Sequence, residues 1–277
     1  MTDHPIQLHP EVRQLADENS MLRDELVRLL TDLDDLVQTV KPNLLAIYQT
    51  KIGPWELRLL KVQFEIARLK RRVELVHACL NRGRRPELME IEGQLELEAL
   101  AWQMKLKEAM ERIAAAESRL QHLLSPPEDR ELKTLYCALV RKLHPDVNAN
   151  FTENHKRLWQ RVQSAYVRGD LAEMRSLALL AEKLGDVPPA ATSLEDMRAE
   201  QRTLQKQFEE LLKRIETTES QPPFTMREQL EDDAWMAARR TEIETQIDQL
   251  HAQRTGLESH LQQLLPGPDY GKWFSQN

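Results

Sequence analysis

The sequence predicts an all-α protein in which long helices flank one small helical module. Three observations predict it. Charged residues make up 30% of the 277 residues while glycine (8 residues) and aromatics (5%) are scarce, a composition of long Leu-, Glu-, Arg- and Lys-rich helices and not of a β fold. Apolar residues recur at alternating three- and four-residue spacing in several separate stretches. Proline-containing breaks separate those stretches, and the length suggests about two domains.

Residues 11 to 40 carry the cleanest periodicity. Val12, Asn19, Leu26, Leu33 and Val40 are seven apart, and Leu15, Leu22, Leu29 and Leu36 follow the first set by three. This is a heptad seam with a single polar residue at one inner position, which favours a parallel dimer zipped through Leu15, Asn19, Leu22, Leu26, Leu29, Leu33 and Leu36. Asn19 is then expected to bond its symmetry mate. The alternative is a helix packed on its own chain. No basic region precedes the zipper, so a DNA-binding zipper is excluded.

Lys41-Pro42-Asn43 is expected to break that helix. A second helix is predicted over 54–81 with a seam of Leu59, Val62, Ile66, Leu69, Val73, Val76 and Leu80. A third runs from Pro86 to about Leu124, with a looser stripe through Leu88, Ile91, Leu95, Met104, Met110, Ile113 and Leu120. Ser125-Pro126-Pro127 and Val187-Pro188-Pro189 bound a stretch of shorter helices. Heptads return at Leu194, Met197, Leu204, Phe208, Leu211 and Ile215, and a last helix is predicted from about Thr225 to Leu265. The predicted organisation is a leucine-zipper-like coiled coil (1–43), a helical hairpin (44–124), a compact module (125–187), a C-terminal helical hairpin (188–265) and a tail (266–277).

Composition excludes several function classes. The formal charge of −7 argues against a nucleic-acid partner, because phosphate binding rests on basic surface. No run of 18 apolar residues and no signal-peptide pattern occurs, so the expectation is a cytoplasmic protein with no membrane partner. Cys79 and Cys137 form no CxxC pair, which argues against a cysteine zinc site. The histidines show no paired ligand spacing, and no GxxxxGK[ST] loop or nucleophile–base pair is present. No metal, cofactor or enzymatic activity is predicted.

Within the module, Leu132, Leu135, Tyr136, Leu139, Val140 and Leu143 line one helix face, with Lys133, Arg141 and Lys142 off it. Pro145 ends that helix at His144-Pro145-Asp146. Thr152 is the predicted N-cap of the next helix, whose buried positions are Leu158, Trp159, Val162, Ala165 and Tyr166. The result is two antiparallel helices joined through a polar tip and held together by Tyr136, Trp159 and Tyr166. Residues 130 to 168 hold eight Lys+Arg against three Asp+Glu, a local sign reversal that suits steering toward an acidic surface.

Leu132-Lys-Thr-Leu-Tyr-Cys-Ala-Leu-Val-Arg-Lys-Leu-His-Pro-Asp-Val-Asn148, followed by Leu158-Trp-Gln-Arg-Val-Gln-Ser-Ala-Tyr-Val-Arg-Gly-Asp-Leu171, resembles the second helix, HPD loop and third helix of a J domain, the defining module of DnaJ-type co-chaperones. The likeness covers about residues 128 to 170. It implies that His144, Pro145 and Asp146 contact a DnaK-type chaperone and stimulate its ATP hydrolysis, with Lys133, Arg141 and Lys142 contributing to docking. The coiled-coil arms would then serve an unknown client or homo-oligomerisation. Cys137 and Ala138 stand where family members often carry basic residues, and the resemblance leaves the end of the 86–124 helix, around Leu120 to Leu124, to act as the family's first helix. The glycine/phenylalanine-rich and zinc-binding segments of general-purpose members are missing. The competing expectation is a scaffolding coiled-coil protein in which the module only packs.

Overall fold

The protein is described by a computed structural model that covers residues 10–148, 151–183 and 193–265. All of these are helix or connecting turn, with no strand among them, in line with the all-α reading. The helices are α1 (Pro10–Asp35), α2 (Lys41–Lys51), α3 (Gly53–Asn81), α4 (Leu88–Gln121), α5 (Pro126–Leu143), α6 (Glu153–Arg168), α7 (Leu171–Glu182), α8 (Leu194–Glu219), α9 (Arg227–Glu231) and α10 (Asp233–Leu264). The tail at 266–277 and the prolines of 187–189 lie outside the described residues.

The first expectation to fall is the break at Lys41-Pro42-Asn43. A π-helical turn, Leu36–Val40, joins α1 to α2 without interruption, and the Lys41 amide donates to the Leu36 carbonyl. Proline lacks an amide donor and its ring crowds the carbonyl four residues back. Widening the preceding turn by one residue relieves both problems, so the helix continues.

The chain divides into two units. One holds the described residues up to Leu44 together with His122–Met226; the other holds Leu45–Gln121 and the described residues from Arg227 on. In the first unit α1 lies along α8 and also packs on α5, while α5, α6 and α7 pack on one another. Their apolar faces share one core: Leu26, Leu30 and Leu33 from α1, Tyr136, Leu139 and Val140 from α5, Trp159 and Val162 from α6, Met174 and Leu177 from α7, and Leu204 and Leu211 from α8. Each large buried side chain contributes about 1.5–3 kcal/mol relative to exposure.

This core corrects two expectations. The zipper seam is filled by the same chain: Leu15, Asn19, Leu26 and Leu33 are buried and Leu22, Leu29 and Leu36 half-buried, with α8 alongside. Asn19, expected to bond a symmetry mate, donates through Nδ2 to the Met197 carbonyl on α8 at 3.0 Å. Arg23 and Glu200 form an ion pair in the same seam, as do Glu11 and Arg198. The expected 188–265 hairpin is divided, because α8 pairs with α1 in one unit and α10 with α3 in the other. Both pairings satisfy the heptads of the two C-terminal helices, so periodicity alone does not choose between them.

In the second unit α3 packs against both α4 and α10, burying Leu69, Val73, Val76, Ile91, Leu95 and Leu261 together. Leu80 at the end of the predicted seam is 39% exposed. Met104 and Met110, assigned to the inner stripe of α4, are exposed instead. The inner face of that helix is completed by the buried Ala99, Ala109 and Ala116.

Candidate functional site

Local sequence builds the module from α5, α6 and α7. Ser125 opens α5 by donating its amide to the Glu128 carboxylate at 3.0 Å, part of a capping box. Thr152 caps α6 by accepting from the His155 amide, as the sequence indicates. Gly169 closes α6 at φ 65°, a left-handed geometry that favours glycine, and the Asp170 carboxylate accepts from the Glu173 amide at 2.9 Å to start α7.

Two aromatic stacks hold α5 to α6. The Tyr136 and Tyr166 rings stack at 3.9 Å between centroids and Tyr136 stacks on Trp159 at 5.7 Å. The residues meet in antiparallel order, His144 and Tyr136 both reaching Trp159 while Tyr136 also reaches Tyr166. The tip therefore carries His144, Pro145 and Asp146 together.

His144 is the C-cap of α5, with extended backbone at φ −75°, ψ 132°, as the following proline demands. Its ring stands edge-on to Trp159 at 5.1 Å, and its side chain is 13% exposed. Nδ1 accepts from the Asp146 amide at 3.1 Å, which requires that nitrogen to be unprotonated and assigns the neutral ring's proton to Nε2. Burial pushes the His144 pKa below its ordinary value, against the opposing pull of the Asp146 and Asp34 carboxylates. The Asp146 side chain is 54% exposed. Together they make a tip with a fixed imidazole beneath and an accessible carboxylate above.

Asn148, which the sequence analysis did not single out, fastens this turn. Its side-chain amide donates to the carbonyls of Arg141 and His144 at 3.2 and 3.1 Å, and its backbone amide also donates to His144. These bonds satisfy carbonyls that the end of α5 leaves without helical donors.

Lys133, Arg141 and Lys142, the three cations assigned to docking, do not form an open basic face. Lys133 pairs with Asp35 at 2.9 Å and with Asp129 at 3.4 Å. Burial pulls its pKa down, but the two carboxylates outweigh burial and hold it above the ordinary lysine value. Arg141 pairs with Asp24 at 2.9 Å. Lys142 is half-buried and forms no ion pair with a described residue. Asp35 and Asp24 both lie on α1, which holds eight Asp+Glu against three Lys+Arg. The positive charge of the module and the negative charge of α1 thus meet within one chain, a complementarity visible in both segments' charge counts.

Two tyrosine hydroxyls reach the same helix. Tyr136 donates to Asp34 at 2.6 Å and Tyr166 to Asp35 at 3.0 Å. Burial, then the neighbouring carboxylates, push both tyrosine pKa values far up. Burial likewise raises Asp34, opposed by its bond from Tyr136 and by the charges of His144 and Arg214. The helix that packs on α5 from outside the module is α1, whereas Leu124, at the end of the stretch expected to play that part, packs at the edge of the core. Beyond the tip, Asp146 shares a shallow groove with Leu26 and Leu30 of α1 and Gln207, Glu210, Leu211 and Arg214 of α8.

Among the described residues no cluster of three or more His, Cys, Asp or Glu is placed to hold a metal, and no helix is long and apolar enough to cross a membrane. Cys79 and Cys137 are both free and half-buried. No protein-family profile, curated protein or solved structure matches this chain.

Proposed function

We propose that the protein is a J-domain-like co-chaperone that docks through the His144-Pro145-Asp146 tip on a DnaK-type chaperone and stimulates its ATP hydrolysis. One observation carries the reading. The tripeptide sits at the exposed tip of an antiparallel helix pair, with His144 braced by Trp159 and locked to the Asp146 amide while the Asp146 carboxylate stays accessible. A turn used only to connect two helices has no need of a fixed imidazole under an exposed carboxylate. Lys142, and Arg141 once its exposed pair with Asp24 opens, supply the positive flank for an acidic partner. The separate helical unit of α3, α4 and α10 is available for a client or a location signal.

The test is chaperone ATPase stimulation under single turnover. Asp146→Asn is expected to abolish stimulation while leaving circular dichroism and thermal unfolding close to wild type, since that side chain is exposed. His144→Gln is expected to abolish it too, at a measurable cost in stability because the ring packs on Trp159. Equal stimulation by wild type and both variants, or none by wild type across a panel of DnaK-type chaperones, would sink the reading.

A second reading is a scaffolding protein in which the module only packs. Engagement of Lys133 and Arg141 by Asp35 and Asp24 favours it, because two of the three docking cations already have partners. Under this reading the tip variants leave every binding readout unchanged.

A further inference from the structure

Helix α4 carries two apolar faces, and only one is buried among the described residues. The inner face, through Ile91, Leu95, Ala99 and Ala109, is buried. At 100° per residue, Gly93, Leu97, Leu100 and Met104 fall on the opposite side. Leu97 is 72%, Leu100 58% and Met104 64% exposed. Their spacing of four, three and four is that of a coiled-coil seam. Scattered single apolar residues on a surface need no explanation, but a periodic row does.

We propose that this outer face of α4 pairs with the same face of a second copy of the chain, antiparallel about a twofold axis between Leu97 and Leu100. The charges at the ends of the row select the occupant and the direction. Glu90 and Lys107 continue the seam at its two ends, each exposed, and Lys107 has only a 3.8 Å neighbour in Glu111. Setting Leu97 opposite Leu100 of the second copy brings Met104 opposite Gly93 and Glu90 opposite Lys107. Twofold symmetry repeats every one of these pairs. Nothing lies within 4 Å of where a Cβ on Gly93 would be, so the Met104 side chain meets open space there. One step out from the seam, the same register sets Met89, 90% exposed, beside Met110, 54% exposed. A parallel pairing in register instead stacks Glu90 on Glu90 and Lys107 on Lys107, which is repulsive at both ends. This pairing is independent of the co-chaperone reading, and it replaces the zipper dimer that α8 precludes.

The experiment is sedimentation equilibrium of the full-length chain over a micromolar concentration series, with circular dichroism melts of every variant. Wild type is expected to dimerise. The double variant L97E/L100E is expected to be monomeric, and to melt like wild type at concentrations too low for wild type to dimerise, since both side chains are solvent-exposed in one copy. Glu90→Lys and Lys107→Glu are each expected to weaken the dimer about tenfold, because each reversal acts at two symmetric pairs. The swap E90K/K107E is expected to return the wild-type constant. A monomeric wild type at hundreds of micromolar, or a dimer that survives L97E/L100E, overturns the proposal. So does a charge swap that fails to restore what the single reversals remove, since only antiparallel pairing predicts rescue.

Discussion

The Tyr136 hydroxyl leaves the module and donates to Asp34 of α1 at 2.6 Å, joining residues 102 positions apart. Tyr136→Phe is expected to destabilise the first unit by about 1.5–3 kcal/mol, the usual loss for a hydrogen bond to a charged group that stays partly buried. Asp34→Asn keeps an acceptor for the hydroxyl and removes a charge that burial disfavours. Because the folded-state pKa of Asp34 is raised, its stabilising contribution is present below the ordinary value and lost as pH rises through the folded one. The variant is therefore expected to gain on wild type between acid and neutral pH in urea unfolding; a constant difference across that range contradicts this account.

His144 works in the other direction. Burial lowers its pKa in the fold, so the unfolded chain takes up the proton first as pH falls. The contribution of the neutral ring is present above the ordinary value of about 6.5 and is lost as pH falls through the lower folded value. Protonation also removes the acceptor that holds the Asp146 amide. Wild type is expected to lose stability relative to His144→Gln between pH 7.5 and 5, measured as the shift of the urea midpoint. Parallel pH profiles would show that the ring is not held neutral.

Arg141 and Asp24 form an exposed pair, 57% and 46% accessible. Such pairs contribute about 0–1 kcal/mol, so Asp24→Asn is expected to leave the thermal melt almost unchanged. If the co-chaperone reading is right, freeing Arg141 strengthens binding to the chaperone several-fold and steepens its salt dependence, chiefly through faster association. Titrations at two ionic strengths check this, and unaltered affinity at both removes Arg141 from the docking face.

Asn19 is buried with one donor satisfied by the Met197 carbonyl at 3.0 Å and its Oδ1 without a hydrogen-bond partner among the described residues. Leucine at this position extends the apolar seam against α8 and removes the unpaired acceptor. Asn19→Leu is expected to raise unfolding stability by about 1 kcal/mol without changing the oligomeric state. A variant that forms new oligomers instead would show that Asn19 guards this seam against other pairings.

Much of the module was legible from local chemistry. The apolar face of α5, the Thr152 cap, the buried Trp159 and Tyr166, and the turn at Pro145 all follow from side-chain spacing and backbone constraints that act over a few residues. Asn148 was missed because its role depends on where the end of α5 leaves the Arg141 and His144 carbonyls. The π turn before Pro42 was missed because a proline signals a local conflict without saying whether the helix ends or widens to absorb it. Met104 and Met110 fall outside the inner stripe because α4 carries apolar residues on two faces, which three- and four-residue spacing alone does not separate.

That this chain is helical, where most of its helices lie, which side of α1 and α8 is apolar, and that His144, Pro145 and Asp146 share a turn can all be read from local residue order. Periodicity and capping carry that information because they are properties of a single helix. Which helix fills which seam was decided only by tertiary structure. A heptad face accepts any complementary heptad face, whether from its own chain or from another. Here α8 fills the seam of α1 and α1's carboxylates meet the cations of α5, a choice set by matched shape and opposite charge between segments that lie far apart in the chain.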